Sequence, residues 1–571
     1  MKASLTPDLS LPTLREIWLL ACAAIGYFLA FPNPLAQFPP AALLMPGIIM
    51  IFSLENERPR KALALSFFSL MLGSSLCLYW LAIPMHDFAG VPWFIGACFV
   101  LLLGVYFGLY GLLFSLILRF LLRPAQTAQQ KHPGQADQTV QAYCPDRQAR
   151  FRQTAWLVIR LAAAALAWGA LENLRGFFLT GFPWLSLSTA FVGWPLLAQG
   201  GALLGMYAMS ALYVFAALLL FAAMLSGSSF LPGSPAPLKS GLAALLIFAV
   251  LASYGQSRLT RDWDAEGKPV LVGLVQGNVD QMQKWSLEKR AFTVRRYLDL
   301  SALTIEKSLR EHGQNPDLLI WPETSMPFPF QLSPELARPV RDFAAAQDIG
   351  LLFGAQGRSY GTGGAVAADP QNRAYNRVWL LNGQGQNQGS YDKEHLVPFG
   401  EYLPPGLYVP FASEFLQGTG FTPGEPAADL PAGMRYKNFA LGLLICYEVI
   451  FPELAQTRVK QGANLLVSVS NDAWFGRSSA PLQHLQQAAQ RCIEQGRYLA
   501  RATNTGISAA IDPAGRIRHP SALFTSTGQV ERVSLLEETT FYHRHAETIS
   551  LLLWILPIMA LAERLVRRGR F

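Results

Sequence analysis

Eight stretches of this chain, near 14–31, 39–54, 62–84, 93–122, 154–171, 191–225, 239–255 and 547–566, are predominantly apolar. A helix needs about 20 such residues to cross the hydrocarbon of a bilayer. In that hydrocarbon every backbone polar group must find a partner within the protein, so such stretches have few options besides helices. The runs at 39–54 and 239–255 are short, and the run at 191–225 is long enough to add an interfacial piece. Composition agrees, since 15% of the 571 residues are charged, against about 25% in ordinary soluble domains. Between 256 and 546 charges become frequent and apolar runs shorten to strand length. The pattern predicts a membrane domain over 1–255 with about seven transmembrane helices, an outer domain over 256–546, and a last span with a basic tail over 547–571.

Orientation follows from lysine and arginine in the short loops. Lys2 and Arg15 form one group, Arg58, Arg60 and Lys61 the next, and Arg119, Arg123, Lys131, Arg147, Arg150 and Arg152 a third. Lys239 and the tail Arg564, Arg567, Arg568 and Arg570 fall on the same side if there are eight spans. The opposite loops, near 85–92 and 172–190, hold only Arg175. Both termini are therefore expected in the cytoplasm and the outer domain in the periplasm or its equivalent. The net charge of +8 is not gathered into a basic stripe interleaved with aromatics, so no nucleic-acid partner is expected. The Gln-, Ala- and Pro-rich stretch 124–153 reads as a flexible cytoplasmic loop, and 226–237 as a turn-rich linker.

The six cysteines, Cys22, Cys77, Cys98, Cys144, Cys446 and Cys492, make no CxxC or Cys/His cluster. Neither a zinc site nor a disulfide framework is expected. The run at 14–31 has no clear cleavage site and is followed at once by another, so it reads as a retained span. In the outer domain, the strand candidates PVLVGLVQG, DLLIWPE, GLLFGAQG, NRVWLLNGQ, ALGLLICYE, ANLLVSVSN and TGISAAIDP alternate with helical candidates at 287–312, 333–347, 452–462 and 481–500. Such alternation predicts an α/β layered fold.

Three residues at apolar-run ends can do chemistry. Cys446 closes GLLIC just before a helix expected to begin near Pro452. A lone cysteine usually just packs, but active-site groups of α/β folds gather at the carboxyl ends of strands. Glu323 ends DLLIWPE, and SYDKEHLVPFGEYLP holds Lys393 and Glu401. Taken singly, these read equally well as a helix cap and a solvated loop. Taken together, Glu323 is suited to accept the Cys446 proton as general base. Lys393 is suited to favour the thiolate and to stabilise an oxyanion.

WPE, YDKEHLVPFGE and GLLICYE, in this order, resemble the Glu-Lys-Cys triad of the nitrilase superfamily. That resemblance implies an αββα sandwich over about 265–540. Spans on both sides of such a domain, with LENLRGFFLTGFPWL at 171–185 and VSNDAWFG at 469–476, are similar to the bacterial apolipoprotein N-acyltransferases, the membrane-integrated branch. The resemblance covers nearly the whole chain; the loop 124–153 has no match. It implies Glu323 as general base, Lys393 as stabilising lysine, Cys446 as nucleophile and Glu401 as support for the lysine. It further implies that Tyr447, Glu448 and Trp285 serve activity or substrate binding, although each also reads as a packing residue. The implied reaction is a ping-pong acyl transfer in the bacterial inner membrane. A phospholipid, phosphatidylethanolamine, is the donor, and the diacylglyceryl-cysteine amine of an apolipoprotein is the acceptor. No metal or other cofactor is needed.

Two rival readings use the same residues. A membrane-anchored amidase would keep the triad and use water as acceptor. A transporter or lipid-binding scaffold would carry an inactive outer domain; against it, few ionisable groups lie inside the spans.

Overall fold

The computed structural model describes residues 11–123, 147–225, 237–281, 283–358, 373–403, 420–425 and 434–569. Most of the expected loop 124–153, nearly all of the linker 226–237, Cys144 and residues 404–419 lie outside the described residues. The membrane half begins with α1 (Leu14–Ala30), started by a capping box between Thr13 and Glu16. It continues through α2 (Leu44–Glu55), α3 (Pro59–Cys77), α4 (Ala82–Asp87), α5 (Trp93–Leu122), α6 (Arg147–Arg175), α7 (Gly201–Met224) and α8 (Pro237–Leu259).

Helices form at all eight apolar runs, but not all are full spans. Trp93–Leu122, Phe151–Arg175, Gly201–Met224, Leu238–Leu259 and the C-terminal Phe541–Arg567 are long and apolar enough to cross a membrane. The run expected as one span at 62–84 is instead α3 and a second segment, Tyr79–Asp87, bent by 58°. Counted as one, that pair makes a sixth span. The expected span 14–31 gives a helix of 17 residues. The expected span 39–54 spends its first turn on the 3₁₀ segment Pro39–Leu43, which two prolines begin. The helix α2 that remains is buried from Met45 to Leu54, packed among its neighbours. Length and hydropathy report apolarity, not whether lipid or protein supplies it.

The second half stacks two mixed sheets. The first has the order β13 (Thr527–Leu535), β1 (Lys268–Gln276), β2 (Leu318–Ile320), β4 (Gly350–Arg358), β5 (Ala374–Leu381), β6 (Asn387–Asp392), with β3 (Met326–Pro329) paired to β4. The second has the order β12 (Ile517–Arg518), β11 (Ala509–Ile511), β10 (Leu499–Thr503), β9 (Leu465–Ser470), β8 (Phe439–Ile445), β7 (Met434–Tyr436). Each has a parallel centre, β1-β2-β4 and β8-β9-β10, flanked by antiparallel strands.

The alternation of each strand sorts its side chains. Val270, Val272, Leu274, Leu318 and Ile320 meet Leu441, Leu443, Ile445, Leu465, Val467 and Val469 between the sheets. Val275, Leu319, Trp321 and Phe353 point the other way, onto α9 (Leu287–His312) and α10 (Pro334–Gln347). On the far side lie α11 (Pro452–Lys460) and α12 (Ala480–Gln495), before α13 (Phe541–Gly569) closes the chain. The result is the αββα sandwich.

The expected helix 481–500 stops at Gln495, because Gly496 takes a left-handed C-cap (φ 63°). The next apolar residues become β10. The sandwich and the membrane half share one apolar core: Leu444, Leu466, Leu485, Ala489 and Ile493 cluster with residues of α1, α2, α6 and α7.

Candidate active site

Each of the three candidate chemical groups sits just beyond a strand. Glu323 follows β2, Lys393 follows β6, and Cys446 follows β8 as the first residue of the 3₁₀ turn Cys446–Ile450. The two sheets face each other, so these loops converge. Glu323, Lys393 and Cys446 are 6%, 1% and 8% exposed.

The carboxylate of Glu323 is held at both oxygens. Oε1 accepts from Asn376 Nδ2 at 2.7 Å, and Oε2 accepts from the Asn471 backbone N–H at 2.8 Å. Lys393 Nζ lies 3.6 Å from Glu323 and 2.9 Å from Glu401. The Asn376 amide also donates to Glu401 at 2.9 Å, so one side chain ties both carboxylates together. Glu401 further accepts from the Val397 N–H at 2.8 Å. Burial works against the Lys393 charge, but Glu401 and Glu323 outweigh it and hold the ammonium above its ordinary range. Burial also pushes the Cys446 thiol well above the usual thiol range. The Glu323 charge adds to this, while Lys393 and a hydrogen bond with Ser470 oppose it. The resting thiol therefore keeps its proton at neutral pH, and a base must take it as the bond forms.

The neighbours brace this geometry. Cys446 adopts φ 51°, a left-handed conformation rare for a residue with a Cβ. Glu448 is fully buried, and its carboxylate accepts from Ile445 N–H (2.7 Å), Glu394 N–H (2.7 Å), His395 N–H (3.2 Å) and Tyr391 Oη (2.7 Å). It therefore locks the Lys393 loop to the residue before Cys446. Tyr447 Oη donates to the Gly181 carbonyl at 3.0 Å, across to the membrane half. Leu179, Thr180 and Gly181 all have positive φ, and a Cβ on Gly181 would lie 2.1 Å from the Gly176 carbonyl oxygen. Phe177, Phe178 and Leu179 are exposed just beside this contact.

Six of the seven sequence-predicted residues thus meet in one place. Trp285 is half-buried on the turn before α9 and enters none of these hydrogen bonds. Its neighbour Lys284 is fully buried, its Nζ has no hydrogen-bond partner among the described residues, and burial lowers it to about 7, with Glu323 the opposing charge. Lys284, Asn376 and Asn471 were not singled out from sequence. Asn471 lies in the quoted VSNDAWFG; an asparagine inside a strand run, like Asn376, gives no local signal.

A model of carbon-nitrogen hydrolases matches residues 271–534, and one of the apolipoprotein N-acyltransferase N-terminal domain matches residues 23–219. An apolipoprotein N-acyltransferase of Geobacter metallireducens is 32% identical over 547 residues, 95% of this chain and 94% of that protein. The chain belongs to the apolipoprotein N-acyltransferase family. A further apolipoprotein N-acyltransferase, from Bordetella bronchiseptica, is 34% identical over 89% of both chains. Among solved structures, an amidase from Nesterenkonia sp. AN1 matches 49% of this chain and 96% of its own, at 18% identity and a TM-score of 0.34. As a member of the apolipoprotein N-acyltransferases, the chain is a multi-pass membrane acyltransferase.

Proposed function

We propose that this chain moves an acyl group from a membrane phospholipid, such as phosphatidylethanolamine, to the N-terminal amine of a diacylglyceryl-cysteine apolipoprotein, by way of a Cys446 thioester. Glu323 takes the thiol proton as sulfur attacks the sn-1 ester carbonyl. Lys393 faces the oxyanion. The C–O bond breaks, Glu323 returns the proton, and a lysophospholipid leaves. The acceptor amine then attacks the thioester and gives a proton to Glu323. The C–S bond breaks, and the Cys446 thiol is restored. Glu401 holds the lysine, Glu448 the spacing of the two loops, and Tyr447 the membrane-side loop. Trp285 belongs at the substrate entrance.

The observation that carries this reading is the hydrogen bond from Tyr447, next to the thiol, to the loop whose exposed tip is Phe177, Phe178 and Leu179. The nucleophile's neighbour thus contacts an exposed apolar edge, which supports a lipid-facing entrance through which long-chain substrates need not enter water. Exposure to water costs about 0.8 kcal/mol per CH₂. The basic loops support a cytoplasmic position for both termini and a periplasmic one for the segment 256–546, between a membrane domain over 1–255 and the final span over 547–571.

Intact-mass spectrometry after incubation with phospholipid alone tests the reading. An acyl mass that hydroxylamine removes, and that is missing from Cys446→Ala, is expected. Release of free fatty acid without any adduct would reject the transferase in favour of a hydrolase.

A further inference from the structure

Cys446 holds an unfavourable backbone conformation, and something must keep it there. Its N-terminal side is accounted for by the bond from Ile445 N–H to Glu448. On its C-terminal side, the Cys446 carbonyl lies 3.0 Å from His484 Nε2, on the first turns of α12. We propose that His484 is a positioning residue for the nucleophile: its Nε2–H donates to the Cys446 carbonyl and keeps that residue left-handed, with the thiol turned toward Glu323 and Lys393. The inference rests on the reading of Cys446 as nucleophile.

The proton on Nε2 follows from the other nitrogen. His484 Nδ1 lies 2.9 Å from Arg501 Nη2, and a guanidinium only donates. Nδ1 is therefore an acceptor, and the ring's hydrogen belongs on Nε2, where the carbonyl can only accept. Asp472 completes the arrangement: Oδ2 takes Arg501 Nη2 at 3.0 Å, and Oδ1 takes Ser470 Oγ at 2.6 Å. Asp472 Oδ1 also lies 3.2 Å from His484 Nδ1. Arg501 Nη1 is fixed by Ser468 Oγ at 3.0 Å. His484, Asp472 and Arg501 are all buried. Burial and the Arg501 charge both favour the neutral ring, with Asp472 opposing. A protonated ring would still donate from Nε2, so the contact to Cys446 does not depend on that balance.

The position of His484 is in turn set by the membrane half. The preceding residue, Gln483, accepts from Trp80 Nε1 (3.2 Å) and Trp184 Nε1 (2.8 Å) and donates to the Pro32 (3.0 Å) and Cys77 (3.2 Å) carbonyls. The Trp184 ring lies 5.6 Å from the imidazole. His484 is thus, beside the Tyr447–Gly181 hydrogen bond, a link by which the membrane helices fix the backbone of the thiol. A misplacement of about 1 Å at a reacting group can cost roughly 100-fold in rate.

The test separates a carbonyl contact from general packing. A glutamine amide nitrogen falls near the imidazole Nε2 position, and an asparagine amide nitrogen near Nδ1. Single-turnover acylation of Cys446 by phospholipid is followed by intact mass in the full chain, with thermal stability measured alongside. His484→Gln is expected to acylate within about 3-fold of wild type, and His484→Asn to lose on the order of 100-fold without a matching change in apparent lipid affinity. Equal losses in both variants, or wild-type rates in both, would overturn the proposal. If His484→Asn does not fold, His484→Gln decides alone: a near-normal rate supports the proposal, and a large loss in a folded protein rejects it. The wild-type control keeps the two readings apart. Absence of a wild-type adduct on Cys446 overturns the thioester reading and this inference with it, whereas a wild-type adduct with unaffected variants overturns only the role of His484.

Discussion

At the scale of single residues, the site combines charges that satisfy one another with one that does not. Lys284 is lowered to about 7 by burial, whereas a free lysine titrates near 10.4. Between those values the unfolded chain binds more protons than the folded one, so this residue makes stability rise with pH across that window. Lys284→Met is therefore expected to raise the melting temperature at pH 7, with the gain shrinking towards pH 10. Melting curves at several pH values check this; a lower melting temperature at pH 7 would mean that the ammonium is paired after all. Glu448 is the opposite case, with four donors on one carboxylate. Glu448→Gln turns one of its oxygens into a donor facing donors, and a loss of about 2–4 kcal/mol is expected from the buried groups left unpaired. The same variant should slow acylation, because the loop that carries Lys393 is freed from Ile445. Unchanged melting and acylation would show that Glu448 is not the brace described here.

At the scale of elements, the loops after β2, β6 and β8 do the positioning, and their neighbours leave no slack. Gly354 in β4 runs against the Glu323 loop: a Cβ there would lie 2.4 Å from Thr324 N and 2.7 Å from Glu323 Cα. Both are backbone atoms, so the loop itself must move. Gly354→Ala is expected to slow acylation by roughly 10- to 100-fold, with a smaller relative effect on melting; a wild-type rate would show that the loop relaxes freely. The elements were legible in the sequence in proportion to their periodicity. The α9 pattern at 287–312 and the apolar core of β8 stand out. β13, which alternates only weakly, is fixed by its antiparallel register on β1, more than 200 residues earlier. The residues 499–503 resemble the helix before them in composition, and only the stop at Gly496 makes them a strand.

At the scale of the whole molecule, the sandwich is not a separate body resting on a membrane anchor. Every residue of α12 except Leu482 is buried, including its glutamines, Arg491 and Glu494. Part of that polar face is matched across the boundary. Met206 N–H, released where α7 breaks at Gly205 (φ 69°), donates to Glu494 at 2.9 Å, and Gln486 donates to Gln37 at 2.8 Å. Cutting between the halves would strand these groups and expose Leu485, Ala489 and Ile493. The segment 256–546 made alone is expected to aggregate or bind a hydrophobic dye, and to form no acyl adduct with phospholipid in detergent. A monomeric, cooperatively melting fragment that acylates Cys446 would contradict this.

The sequence by itself determined that the chain enters a membrane repeatedly, that its second half alternates strands and helices, and that a carboxylate, a lysine and a thiol each follow a strand. Those features are local, because run length, period and the residue after a strand are set by neighbours in the chain. Only the tertiary structure decided what holds the thiol. Asn376 ties Glu323 to Glu401, Tyr447 reaches a carbonyl 266 residues earlier, and Arg501, Asp472 and His484 converge on Cys446. Periodicity specifies that a side chain will be buried. It does not specify against what, and for buried polar groups the identity of the partner carries the energy.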